Sequence, residues 1–326
     1  MDAVTLTLDA TDRGLVHALH IDGRVPFRTV ADVLDVSENT VARRYRRLRS
    51  SGLLRVVGAV NGVRLGYSSW TLRLQCTPDA AGAIATALAA RPDTSFVHLL
   101  SGGTEISCNV QTPTAADRDA LLLDKLPRTS RITAVSAHLL LRATALPTTW
   151  AGSAWLSEEQ AGRLRTPPVS PASEPVALDK QDRAVLEILA RDGRAGYTEL
   201  ATAAGSSEST VKRRLDTLRR TGILTYTVDI SPAVLGFPAE ARLWMSVQPS
   251  QLVDVAEAMA GHPEVSFAAM TTGPSNLVAA VNCRNADDLC RYLTERVAAL
   301  DAIRSIETAP VIRTLKRAGA YIPATR

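Results

Sequence analysis

One feature constrains this chain more than any other: it contains the same pattern twice. Leu8-Asp9-x-x-Asp12-Arg13 recurs as Leu178-Asp179-x-x-Asp182-Arg183, and Gly23-Arg24 recurs as Gly193-Arg194. Ser37-Glu38-Asn39-Thr40-Val41 returns as Ser207-Glu208-Ser209-Thr210-Val211, Gly52-Leu53-Leu54 as Gly222-Ile223-Leu224, and Gly66 as Gly236, all at an offset of 170. One inserted residue changes the offset to 171. Pro92, Ser95-Phe96, Gly102 and Arg142 then match Pro263, Ser266-Phe267, Gly273 and Arg313. A register held from residue 8 to residue 142 marks a tandem duplication, so any fold must be built from one kind of half used twice. With 326 residues, 46% hydrophobic and 21% charged, the chain can bury several cores, which excludes fibrous and wholly disordered classes.

The first 50 residues of each half read as three short helices. Asp9 or Thr11 caps the first, which carries Leu15, Val16 and Leu19 and stops before Gly23; Thr29 opens the second, and Ser37 caps a third that ends at Gly52. The second half repeats this with Thr198 and Ser207 as caps, Gly205-Ser206 as the tight turn and Gly222 as the stop. Two short helices joined by a turn of three to four residues match a helix-turn-helix.

In the third helix Val41, Tyr45 and Leu48 form one apolar stripe. The opposite face presents Asn39, Arg43, Arg46 and Ser50, with Thr40 and Arg47 on its shoulder, while Arg44 beside the stripe suits an internal ion pair, as does Arg214. Residues 38–51 carry a net charge of +4 and residues 208–221 a net +3, so the rest of this +4 chain sums to −3. The whole positive excess therefore sits on two equivalent helices. Guanidinium groups suit phosphates and guanine edges, and short polar side chains near a helix N-terminus suit base edges. Candidate DNA contacts are Ser37, Asn39, Thr40, Arg43, Arg46 and Arg47 in the first half, and Ser207, Ser209, Thr210, Lys212, Arg213 and Arg220 in the second. Asp216 stands where the first half has Arg46, which weakens the second helix as a DNA binder.

The remainder of each half alternates. Trp70, Leu72, Leu74 and Cys76 point one way and Thr71, Arg73 and Gln75 the other, a half-buried strand. A helix follows, then strands 94–101 and 105–112, a helix over 114–126 and a strand over 132–143; the second half gives strands 241–248, 265–272, 277–283 and 303–316 with helices 251–260 and 286–299. The order βαββαβ is the ferredoxin-like arrangement. The expected fold is α+β, a duplicated winged-type helix-turn-helix domain plus a ferredoxin-like domain. Its domains run over 1–60, 61–143, 178–231 and 232–326, with a linker over 144–177 that holds five of the 17 prolines and a capped helix from Ser157 to about Leu164. Trp150 and Trp155 are expected to pin that linker to a domain.

The four cysteines (Cys76, Cys108, Cys283, Cys290) form no Cys-x-x-Cys pair and read as core-filling thiols of a cytoplasmic protein. Residues Met1–Leu6 show no secretory signal, and no apolar run nears the roughly 18 residues of a membrane span. The histidines (His17, His20, His98, His138, His262) are scattered, and His17 and His20 lack a third metal ligand nearby. Neither cofactor nor metal is expected.

Leu-Asp-x-x-Asp, Gly-Arg, Ser-x-x-Thr-Val-x-x-Arg and Gly-Leu/Ile-Leu, followed by βαββαβ, resemble the Lrp/AsnC (feast/famine) transcriptional regulators over both halves. The resemblance implies a fused pseudo-dimer that binds double-stranded DNA, forms homo-oligomers through its ferredoxin-like domains and senses a small molecule, an amino acid or related metabolite. It places effector contacts at the strand-to-strand turns: Gly102, Thr104 and Glu105 in the first half, Gly273, Ser275 and Asn276 in the second, with Ser136 and Thr308 as further candidates. Glu105 and Asn276 stand where the family has aspartate, and Gly102 and Gly273 equally suit a tight turn needing positive φ. No catalytic motif is present, so the chain is not expected to be an enzyme. The rivals are a sirohaem-decarboxylase-like enzyme on the same architecture and a metabolite-binding scaffold that no longer contacts DNA.

Overall fold

The computed structural model describes residues 8–165, 177–317 and 320–321. The segment Met1–Leu6 and the prolines Pro167, Pro168, Pro171 and Pro175 lie outside them. The first half begins with α1 (Ala10–Ile21), α2 (Phe27–Leu34) and α3 (Glu38–Ser50), then β1 (Leu54–Val60). The second repeats this as α7 (Lys180–Leu189), α8 (Tyr197–Ala204), α9 (Glu208–Arg220) and β6 (Leu224–Ile230). A capping box starts α1: Asp9 accepts from the Asp12 amide at 2.9 Å, and Asp12 accepts back from the Asp9 amide at 3.3 Å. Thr29 and Thr198 do not open the second helices. They start earlier, at Phe27 and Tyr197, because Pro26 and Gly196 already supply the extended residue that precedes the first turn.

β1 and β6 went unrecognised in the sequence. They pair antiparallel from Leu54↔Ile230 to Val60↔Leu224, so the equivalent residues Val57 and Thr227 face one another at the centre. The ribbon merges both helix-turn-helix units around one core, which includes Leu15, Leu19, Leu48, Leu189, Leu200 and Leu218. Gly23 permits this approach: a Cβ there would fall 2.5 Å from Tyr226 Cβ and 2.8 Å from Val56 Cγ1.

The first ferredoxin-like unit consists of β2 (Ser68–Cys76), α4 (Ala81–Ala90), β3 (Thr94–Leu100), β4 (Glu105–Thr112), α5 (Ala115–Asp119, running on as a π-helical turn to Lys125) and β5 (Ile132–Ala145). After a linker helix, α6 (Glu158–Gly162), the second consists of β7 (Ala239–Val247), α10 (Leu252–Ala260), β8 (Val265–Thr271), β9 (Leu277–Cys283), α11 (Ala286–Arg291) and β10 (Ile303–Arg317). A short β11 (Ala320–Tyr321) adds to β10. β5 crosses to pair with β8 and β10 crosses to pair with β3, closing eight strands into the ring β3-β4-β2-β5-β8-β9-β7-β10. Closure removes the open edges that would otherwise template further strands.

Each sheet buries one face under its own helices. Leu72, Leu74 and Val97 lie with Ala85 and Leu88 of α4, and Leu243, Met245 and Val281 lie with Ala256 and Met259 of α10. The opposite faces meet each other around Leu100, Trp244, Ala269 and Val278. The alternation along β2 therefore separates two interiors: Thr71 is buried, and Arg73 reaches across to stack at 4.3 Å on Trp244. Trp150 joins helix-turn-helix body and ring, packing edge-on to Phe237 and donating to the Pro263 carbonyl at 2.8 Å. Trp155 stays half-exposed beside Arg13. Cys76, Cys108 and Cys283 are buried, but Cys290 is exposed at the solvent side of α11, which corrects its reading as a core thiol.

Candidate nucleic-acid interface

α3 and α9 stand on the outside of the shared body. Val41, Tyr45 and Leu48 are buried on one, Val211, Leu215 and Leu218 on the other. The left-handed turn residues Asp35 (φ 51°) and Gly205 (φ 59°) set the angle between each pair of helices. Ser37 and Ser207 cap the helices through the amides of Thr40 and Thr210, at 3.1 and 3.2 Å. Their hydroxyls also bond those of Thr40, Ser209 and Thr210, each at 2.9 Å, so these candidate base readers are engaged in capping. Asn39 is exposed beside them.

Ion pairing sorts the basic residues. Arg44 holds Asp9 and Asp12, Arg47 also reaches the buried Asp12, and Arg214 holds Asp179 and Asp182. Arg44 and Arg214 thus take the internal role expected of them, and Arg47 shares it while keeping 41% of its side chain exposed. Burial opposes ionisation of Asp182, but the Arg214 hydrogen bond and the Asp179 contacts outweigh it and hold the carboxyl below its usual range. Arg49 and Arg219 cross to the opposite half, pairing with Asp192 and Asp22 at 2.7 and 2.9 Å. What remains is Arg43 and Arg46 on α3, and Lys212, Arg213 and Arg220 on α9. These are exposed and lack an acidic partner among the described residues; Arg46 and Arg220 bond only the backbone carbonyls of Ala42 and Asp216.

The spacing of the two faces is set by a reciprocal clasp that sequence reasoning recorded as a repeat without assigning it a role. Arg24 donates to the carbonyls of Gly193 and Ala195 at 2.9 and 3.0 Å, while Arg194 donates to those of Gly23 and Val25 at 2.8 and 3.0 Å. Each guanidinium also lies over aromatic rings of the other half, Arg24 over Tyr197 and Tyr226, Arg194 over Phe27 and Tyr45.

The turn residues are built into the sheets. Glu105 is buried; its carboxylate accepts from Arg73 Nε at 2.7 Å and from Gln75 at 3.3 Å, and Arg73 also pairs with Glu307 at 2.6 Å. Ser136 is exposed opposite Arg73 on β5, and the Thr104 carbonyl accepts from the Cys76 amide at 2.8 Å. Positive φ falls on Ser101 and Gly103 and not on Gly102, since the turn advances by one residue. Gly273 does have φ 99°, and a Cβ there would meet the His138 ring at 2.1 Å. Asn276 bonds both the amide and the carbonyl of Val247, at 2.8 and 2.9 Å, and the Ser275 carbonyl accepts from Thr271 at 2.8 Å. Thr308 is exposed opposite Leu243 on β10. Glu105 and Asn276 are thus each bonded to a neighbouring strand of their own half, Glu105 to β2 and Asn276 to β7.

Two basic helices presented from one clasped body, above a closed pair of ferredoxin-like units, define a duplicated helix-turn-helix protein. Residues 8–49 and 178–219 match the AsnC-type helix-turn-helix domain, and residues 240–321 match the Lrp/AsnC ligand binding domain. Over 150 residues the chain is 32% identical to the regulatory protein AsnC of Escherichia coli (strain K12), covering 43% of this chain and 96% of that protein. It is 29% identical over 140 residues to the HTH-type transcriptional regulator LrpA of Pyrococcus horikoshii, covering 43% of this chain and 99% of LrpA. The chain belongs to the Lrp/AsnC family of DNA-binding transcriptional regulators.

Over nearly its whole length the chain also superposes on the crystal structure of the siroheme decarboxylase NirDL. The TM-score is 0.63 at 16% identity, covering 95% of this chain and 93% of that one. This corrects the expectation that the chain is not an enzyme, because a solved structure that covers nearly the whole duplicated chain is that of an enzyme. At that identity the likeness establishes a common fold.

Proposed function

We propose that this protein is a sequence-specific regulator that binds double-stranded DNA through α3 and α9 and responds to a small molecule. One observation carries the reading: Arg43, Arg46, Lys212, Arg213 and Arg220 are exposed cations of the two helices with no acidic partner among the described residues, on a body held by the Arg24–Arg194 clasp. Such faces suit successive major grooves of a pseudo-palindrome, and unequal halves suit an asymmetric operator. Arg43 and Asn39 are the base readers in this reading, and Lys212, Arg213 and Arg220 serve phosphates. Further association runs through the uncovered outer sides of the crossing strands β5 and β10, where Val135, Leu141, Ile306 and Ile312 are exposed, because among the described residues the ring leaves no long free edge.

The test is fluorescence anisotropy on a duplex from upstream of the gene and on a scrambled duplex, from about 50 to 200 mM salt, the range in which phosphate contacts weaken most visibly. Arg43→Ala is expected to cost about 1–3 kcal/mol and to relax sequence preference if it reads a base. Unchanged binding by the double variant Arg43→Ala, Arg213→Ala would refute the helix assignment. A second reading, catalysis inside the ring, is favoured by the contact of the buried His98 with Arg242. A porphyrin titration followed by visible absorption tests it.

A further inference from the structure

Between the β1–β6 ribbon and the ring lies a cavity of about 80 Å³. Its walls come from β3, β4, β6, β7, β8, β9 and the end of β10, and His20 of α1 and Trp150 also reach it. Two guanidinium groups line it, those of Arg242 and Arg317. Arg242 donates from one terminal nitrogen to His98 Nε2, while its Nε is shielded from solvent and has no partner among the described residues. Accepting that bond leaves the His98 proton on Nδ1, which donates to Thr314 Oγ1 at 3.0 Å. His98 is thus a neutral neighbour, consistent with burial and the two arginines lowering its pKa well below the usual value. Glu240 is the one acid among the residues lining the cavity; it favours the charged form of Arg242 from a distance, and among the described residues it forms no ion pair with either arginine.

The charge is specific to this cavity and is not a by-product of the duplication. At the equivalent positions of the other half, Arg242 is replaced by Thr71, His98 by Ala269, Thr314 by Ala143 and Arg317 by Leu146. Burial opposes the charge on Arg242, and Glu240 offsets it only from a distance, while Asp229 of the ribbon lies near Arg317. A desolvated guanidinium with no carboxylate bonded to its fork is unfavourable, and that planar fork matches a carboxylate. A water-sized position occupies about 10–15 Å³ of such space, so the cavity takes a ligand of roughly five to eight non-hydrogen atoms. Phe96, Phe267, Val228 and Ile230 supply apolar walls for its tail.

We infer that this cavity binds a short-chain monocarboxylate, its carboxylate on Arg242 and Arg317 and its tail against the two phenylalanines. The inference rests on the regulator reading for its purpose, since it names where the small molecule acts. Val228 and Ile230 belong to the ribbon that joins the helix-turn-helix units, so occupancy and the spacing of α3 and α9 bear on the same strand.

Thermal unfolding of the full chain without DNA tests binding separately from the regulator reading, with sodium butyrate as the probe against sodium chloride at equal ionic strength. Butyrate is expected to raise the unfolding temperature saturably beyond chloride. Arg242→Met should melt at or above the wild-type temperature in ligand-free buffer and lose the butyrate response. Arg317→Met, at the end of β10, should raise the half-saturating butyrate concentration at least tenfold, and it keeps the test decisive if Arg242→Met does not fold. Indistinguishable effects of butyrate and chloride on the wild type would overturn the inference, as would a butyrate response that survives in both variants. A response to inorganic phosphate alone would overturn the carboxylate assignment.

Discussion

Replacing Arg194 by alanine removes two charged donors from the carbonyls of Gly23 and Val25 and a cation from the Phe27 ring, 4.4 Å away. Hydrogen bonds involving a charged group contribute about 1.5–3 kcal/mol each, and a largely desolvated cation–π contact about 1–2 kcal/mol. Burial already disfavours the charged guanidinium and lowers its pKa, and water can reach part of the vacated space, so the terms do not sum in full. The expected loss is about 3–4 kcal/mol for the paired helix-turn-helix body. Arg24→Ala should cost a similar amount, because its contacts are the same ones exchanged between halves. Arg191→Ala, which removes only an exposed pair with Glu187, should cost less than about 0.5 kcal/mol. Urea unfolding of the three variants and the wild type measures these costs. DNA anisotropy adds a second readout, since a body with unclasped halves should lose affinity for a two-site duplex more than for a single half-site. Unfolding of Arg194→Ala within about 1 kcal/mol of wild type, with unchanged discrimination between the two duplexes, would show that the clasp does not hold the halves together.

His20 is buried with its Nδ1 unpartnered, and burial, with a smaller contribution from His17, lowers its pKa to about 4. The unfolded chain takes up this proton below about pH 6.5 and the folded one does not, so stability should fall between about pH 6.5 and 4, by on the order of 3 kcal/mol from this group. His20→Leu should lessen that slope, and equal slopes for variant and wild type would contradict the assignment. Of the four thiols, Cys290 alone is exposed, and burial pushes Cys108 up to about 12, so a thiol reagent should titrate one cysteine rapidly in the folded chain and four after denaturation. Rapid reaction of two or more in the native protein would show that the buried sites open.

Local patterns carried the helix-turn-helix units far. Spacing along α3 identified both its buried stripe and the face that keeps Arg43 and Arg46 free, because a single helix has only one period to satisfy. The same reasoning assigned Arg44 to an internal pair but left Arg47 outward, since Asp12 is 35 residues away and its shared grip on both arginines depends on how α1 crosses α3. The exchange of Arg49 and Arg219 with Asp192 and Asp22 was hidden for the same reason.

From the sequence alone follow the duplication, the helix-turn-helix and βαββαβ order within each half, the two basic helices and the family, since each is a matter of recurrence, period or composition along the chain; the β1–β6 ribbon between them does not. Tertiary structure alone decided that β5 and β10 cross between halves and close the ring, which turns the polar face of β2 inward and draws Glu105 onto Arg73 and away from an open turn. It alone brought His98 to Arg242, 144 residues apart, at a place where the repeat holds only Ala269 and Thr71. Repetition reveals what two halves share; a contact made once, across the axis between them, depends on packing that no local pattern encodes.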